Sequence, residues 1–115
     1  MDRSTNVKGN PTLFLDEQLR FAIDNRRLIR ITYDAALRVG EPHDYGIQGG
    51  ISKLLFYQLR RASGDHQWQA APGWRGLLTS KIEACEVLPE TSRGTRASSS
   101  HQQHLSWDEL FARVK

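Results

Sequence analysis

The stretch Trp74-Arg75-Gly76-Leu77-Leu78-Thr79-Ser80-Lys81-Ile82 decides how this chain is read. Side chains of a strand alternate faces, so Arg75, Leu77, Thr79 and Lys81 share one side while Trp74, Leu78 and Ile82 share the other. The pattern predicts a strand with one face on a small core and a fixed pair of positive charges on the other. Fixed cations point to an anionic partner. No reaction follows from them.

Working outward, Ile29, Ile31 and Tyr33 alternate with Arg30, Thr32 and Asp34, the pattern of a half-buried strand. Residues 37–47 read as a second strand interrupted by Gly40 and Pro42; proline has no ladder donor, so Pro42 marks an edge or a bulge. Gln48-Gly49-Gly50 is a tight turn into a third strand over 51–61, where Leu54, Leu55, Phe56, Tyr57 and Leu59 are apolar on both faces. Ahead of these strands, Asn10 and Pro11 form a helix-start pair. Leu15, Leu19, Ala22 and Ile23 then recur at helical spacing, predicting a helix over 12–26 whose apolar stripe Phe14 and Phe21 widen. A helix followed by four strands with short links predicts a mainly β fold, with the helix lying across it. Residues 62–73 read as a loop longer than a hairpin needs. Its Trp68 either tucks over the end of the sheet or stacks on a ligand. Past Ile82 the alternation changes parity, which predicts a bulge or bend near Glu83.

Residues 1–9 carry no periodicity and read as a disordered leader, and residues 91–104 as a polar linker. Ser106 and Glu109 form a capping box, with Leu105 and Leu110 as its hydrophobic staple. Trp107, Leu110, Phe111 and Val114 follow at i, i+3, i+4 and i+7, predicting a C-terminal amphipathic helix over 105–115. So short a helix is marginal by itself in water, and its apolar stripe invites aggregation. It is expected to dock on its own fold, with docking on a partner chain as the alternative.

Three runs, 37–46, 50–57 and 74–82, preceded by Ala22-Ile23 through Tyr33, together resemble the WYL domain, a small β-barrel of the Sm-like type. That family is found mostly in bacterial transcription regulators and in some defence-system proteins. The resemblance covers residues 15–90, and the segments Arg38 to Pro42 and Arg75 to Ile82 carry most of it. The family's Trp-Tyr-Leu triplet is replaced by Ser52-Lys53-Leu54 or Leu54-Leu55-Phe56. The resemblance implies a small Sm-like β-barrel over residues 10–90, and binding of a nucleotide or nucleic acid through basic and polar residues on one side of it. Arg38, His43, Arg75 and Lys81 match such positions, and Tyr33 matches the family's first-strand tyrosine. Lys81 stands where arginine is commoner, giving up the two-point fork that guanidinium offers to phosphate. A winged helix-turn-helix ahead of the domain is usual in the regulators. Here the short leader implies a stand-alone sensor or accessory domain, working as a homodimer or beside a protein partner.

The 115 residues fit one domain. No apolar run is long enough for a bilayer, and Met1 to Asn6 lack the apolar segment of a secretory signal, so a cytoplasmic protein without membrane contact is expected. The single cysteine, Cys85, excludes an internal disulfide and, in its apolar context, reads as a structural thiol. A net charge of +3 is mildly basic. Arg26, Arg27 and Arg30, with Arg38, Arg60 and Arg61, form either a solvated rim or a phosphate footprint. Glu41, His43 and Asp44 imitate an acid-base cluster, yet strand alternation lets at most two converge. His101 and His104 lack a further metal ligand nearby, and Gly49-Gly50 lacks the lysine and hydroxyl residue of a phosphate loop. The expectation is a non-enzymatic regulatory module without cofactor or metal. It would bind an anionic ligand, a nucleotide or single-stranded nucleic acid; the alternative is a protein-interaction module using the C-terminal helix.

Overall fold

The computed structural model describes residues 11–63, 67–96 and 107–115. The leader, Asn10, the tip at 64–66, most of the linker with its two histidines, and the capping residues Leu105 and Ser106 lie outside them. The helix α1 spans Pro11–Asp24 and is followed by β1 (Arg27–Tyr33), β2 (Ala36–Gln48), β3 (Ile51–Ser63) and β4 (Gln67–Leu78). A 3-10 turn, Thr79–Lys81, leads to β5 (Ala84–Thr91), and β6 (Glu109–Arg113) ends the order. The strands make one antiparallel sheet in the order β4-β3-β2-β1-β5, with β6 paired to β2; the sheet is not closed. Among the described residues no helix is long and apolar enough to cross a membrane.

The alternation read in β1 is the one observed: Ile29, Ile31 and Tyr33 are buried, and Arg30 is exposed. Two-residue turns set the register on either side of β2. Asp34 and Ala35 both take positive φ (51° and 59°), as do Gly49 and Gly50 (61° and 79°). Such mirror-image turns match the twist of the strands they join. Leu19, Ala22 and Ile23 of α1 are fully buried against Ile29, Ile31, Tyr45, Leu54, Phe56 and Leu77, each large aliphatic contributing about 2 kcal/mol. Tyr45 Oη donates to Asp16 at 2.6 Å and Gln18 Nε2 to the Cys85 carbonyl at 2.9 Å, fixing the helix across the sheet. Phe14 and Phe21 do not join this stripe. They are about half exposed with Leu13, because Leu15, Leu19, Ala22 and Ile23 already fill the arc that meets the strands.

Four expectations need correction. The stretch 74–82 is not one strand: β4 ends at Leu78, and Thr79–Lys81 winds into the 3-10 turn, held by the Ile82 N–H on the Thr79 carbonyl at 3.1 Å and by Thr79 Oγ1 on Ser52 Oγ at 2.6 Å. Within it, the face carrying Arg75 is the one whose Leu77 is buried in the core. Adjacent leucines left either face eligible, and packing chose the one shared with Arg75. The supposed loop at 62–73 is largely ladder, since β3 runs to Ser63 and β4 starts at Gln67, with Trp68 opposite Ala62.

The C-terminal segment is likewise not a helix. β1 covers the edge of β2 only as far as Gly40, leaving backbone donors and acceptors beyond it. Residues 109–113 satisfy them as β6, opposite Asp44 to Ile47, with the Asp108 and Val114 amides donating to Ile47 and His43 carbonyls at 2.8 Å each. Ladder bonds outweigh a short helix that is marginal in water. The segment does dock on its own fold: Ala112 and Val114 are buried, and Phe111 meets the Tyr45 ring edge-on at 5.1 Å.

Candidate anion-binding site

Three arginines come together on the core face of the sheet, towards the β3–β4 hairpin. Arg38 of β2 stands directly opposite Arg61 of β3, and Arg75 of β4 stands opposite Phe56. Opposite residues of an antiparallel pair share a face, and the bulge between Gln58 and Arg60 returns Arg61 to the face of Phe56, so all three lie on the side that buries Phe56 and Leu77. Gln58 of β3 sits on the same face, flanked by Gly40 of β2 and Gly73 of β4. Its Oε1 accepts from Arg38 Nη1 at 2.9 Å, and its Nε2 donates to the Ala71 carbonyl at 2.8 Å, which pins the amide. Arg75 folds back along β4: its Nη1 lies 3.8 Å from where a Cβ on Gly73 would be, and Gly73 is the residue opposite Gln58.

Arg38 is further held by donating from Nε to the Tyr33 carbonyl at 3.1 Å, with its guanidinium 5.9 Å from the Tyr33 ring centre. Burial, then the like charges of Arg61 and Arg75, lower the Arg38 guanidinium from its ordinary value, with Asp34 opposing them. A guanidinium stays charged through such a shift. Ion pairs among the described residues belong to Arg20, Arg30, His43, Arg96 and Arg113; none involves Arg38, Arg61 or Arg75.

The five residues singled out by the resemblance therefore separate. Arg38, Tyr33 and Arg75 meet. The Tyr33 side chain supports rather than reaches out: it is buried, and its hydroxyl accepts from the Leu78 amide at 3.1 Å. Lys81 is exposed on the 3-10 turn, off the strand it was predicted to share with Arg75. His43 is buried on the opposite face of the sheet. Plain alternation already puts it there with Glu41, and at the bulge Pro42 pairs with Phe56 and Asp44 with Leu55, leaving His43 as an extra residue. The bulge resets the alternation, so Glu41 and Asp44 share the outer face and His43 turns to Glu41 there.

On that outer face His43 Nε2 lies 3.1 Å from Glu41 Oε1, and Arg96 clamps both Glu41 oxygens at 2.8 Å each. The Arg96 guanidinium covers the Tyr57 ring at 3.8 Å, and Trp74 meets both Tyr57 and His43 edge-on. Burial alone would push Glu41 up; the hydrogen bonds of His43 and Arg96, with their charges, outweigh it and hold the carboxyl at about 2. This cluster is closed and mutually satisfied, and it acts as a clasp for residues 92–96 rather than as an acid-base pair. Burial pushes the Cys85 thiol up to about 12, in keeping with a structural thiol.

Arg61 and Gln58 were missed as site residues, although counting outward from the Gly49-Gly50 turn places Arg61 opposite Arg38. Arg96 carried no signal, since nothing local in the linker announces a buried partner. The other arginines of the basic cluster have structural tasks: Arg27 donates to the Leu88 carbonyl at 2.7 Å, Arg30 pairs with Glu86, and Arg60 covers the exposed Trp68 at 5.7 Å. Comparison with known proteins adds no assignment: no family model, curated protein or solved structure matches this chain.

Proposed function

We propose that this chain is a regulatory module that binds an anionic ligand, a nucleotide or single-stranded nucleic acid, through Arg38, Arg61 and Arg75. The observation that carries the reading is the grouping of Arg38, Arg61 and Arg75 on one face, with Arg38 held by a pinned amide and no carboxylate pairing any of the three among the described residues. Like charges directly opposite on neighbouring strands destabilise a sheet, and a bound anion turns that cost into affinity. The strand order β4-β3-β2-β1-β5, with a 3-10 turn joining β4 to β5, supports reading the sheet as an open, unclosed variant of the Sm-like barrel of the WYL type.

The test is binding of a fluorescent single-stranded oligonucleotide across a salt series. Three phosphate contacts on a single strand give a log–log salt slope of about −2. Arg61→Ala with Arg75→Ala should remove most of the affinity and flatten that slope, while leaving the circular dichroism spectrum unchanged. Equal binding by the double variant at low salt overturns the site.

A second reading, a protein contact, has one observation behind it: Leu13, Phe14 and Phe21 are exposed along the outer side of α1. Such a contact is apolar and would be insensitive or strengthened as salt rises.

A further inference from the structure

The arginine cluster is compact, and its shape bears on the kind of anion it takes. Arg38 and Arg61 stand opposite each other on neighbouring strands about 4.8 Å apart, while Arg75 starts about four residues further along the sheet, opposite Phe56. Arg75 shortens that span by folding back over Gly73 towards Gln58, where Arg38 already points. A nucleic-acid backbone distributes one charge per nucleotide, and proteins that track it combine an extended cationic groove with aromatic platforms for the bases. Neither feature is present on this face among the described residues. The Tyr33 ring lies beside Arg38 with its hydroxyl bonded to Leu78, while Tyr57 and Trp74 face the other side of the sheet with Glu41. Trp68 pairs with Arg60 on that other side too. What the core-face cluster presents is the Arg61 and Arg75 forks, each able to grip two phosphate oxygens, beside Arg38, whose Nε and Nη1 are held by Tyr33 and Gln58.

We infer that the Arg38–Arg61–Arg75 cluster recognises a phosphate-dense terminus, the di- or triphosphate end of a nucleotide or of an RNA strand, rather than a run of phosphodiester backbone. The inference rests on the proposed anion-binding reading and narrows its ligand. Two or three adjacent phosphoryl groups deliver enough charge within the span of the cluster to pair all three arginines together. A diester strand passing the same spot pairs them singly. Gln58 adds orientation, because its amide is held at both ends and keeps Arg38 aimed whether or not ligand is present.

The test uses the full chain and a fluorescent single-stranded RNA of ten nucleotides, prepared with a 5′-triphosphate or a 5′-hydroxyl. The triphosphate form should bind at least tenfold tighter, and both inorganic tripolyphosphate and a free nucleoside triphosphate should displace it. Displacement by the nucleoside triphosphate alone, with tripolyphosphate inert, would put recognition on the nucleoside and overturn the inference. Equal binding of the two RNAs would also overturn it, while leaving the broader anion-binding reading standing. Failure of every anion to bind at low salt would remove that broader reading as well. Arg61→Gln should lose the triphosphate preference, with Arg61→Lys retaining part of it; a Gln variant that folds and keeps the full preference overturns the assignment.

Discussion

Glu41 shows how a single buried group couples this fold to pH. Its carboxylate is almost fully enclosed, gripped by Arg96 and bonded to His43. The folded state holds it at about 2, below its unfolded value near 4.5. A carboxyl lowered on folding stabilises the protein above its unfolded value, and that contribution is lost as pH falls through the folded value. The protein should therefore shed stability between about pH 5 and pH 2 through this residue. Glu41→Gln removes the titration and breaks the charged clasp, costing about 2 kcal/mol at neutral pH. Urea unfolding at pH 7, 4 and 3 should show the gap between wild type and variant narrowing steadily with acid. A gap constant across that range would mean that the clasp contributes no pH-dependent stability.

At the scale of elements, β6 depends on a position with no side chain. A Cβ on Gly46 would lie 2.1 Å from the Glu109 carbonyl oxygen and 2.9 Å from the Leu110 Cα, both backbone atoms of the opposing strand. Gly46→Val should push β6 off β2 and cost about 1–3 kcal/mol. Hydrogen exchange would show the amides of Asp108 and Val114 losing protection while those of β1 keep theirs; unchanged protection at both would refute this dependence. The same element shows where reading a sequence runs out. α1, β1, β2, the Gly49-Gly50 turn and the body of β3 are set by local periodicity and turn chemistry, so they are legible in residues alone. β6 is set by an unfilled edge more than sixty residues away, and its capping box and apolar spacing are equally good helix signals. The division at Leu78 is similar, because a side-chain bond from Thr79 to Ser52 ends the strand where the pattern would continue it. For the site, Arg38 and Arg75 were legible as cations on strands. Strict alternation from Arg38 already sends His43 to the other face, whereas Arg61 joins the face of Arg75 only through the register shift opposite Val39 and Gly40, which no local signal announces.

For the molecule as a whole, the arginine cluster sets stability and binding against each other. The fold accepts Arg38 opposite Arg61, with Arg75 beside them, although a neutral residue at any one position would relieve the repulsion. Sites built for a ligand commonly carry such a cost when empty. Arg61→Gln should then raise the melting temperature of the free protein by a few degrees at low salt, where screening is weakest. Adding salt should raise the wild-type melting temperature towards that of the variant, since screening relieves only what the third charge imposes. Tripolyphosphate should reverse the order. At a hundredfold excess over its dissociation constant, a ligand bound only by the folded state adds about 2.7 kcal/mol, available to wild type and largely denied to Arg61→Gln. Thermal melts of both proteins, with and without salt and tripolyphosphate, therefore test the cluster without assuming any base or pathway. A variant that melts below wild type in low salt, or gains as much from tripolyphosphate, would show that Arg61 serves the sheet rather than a ligand.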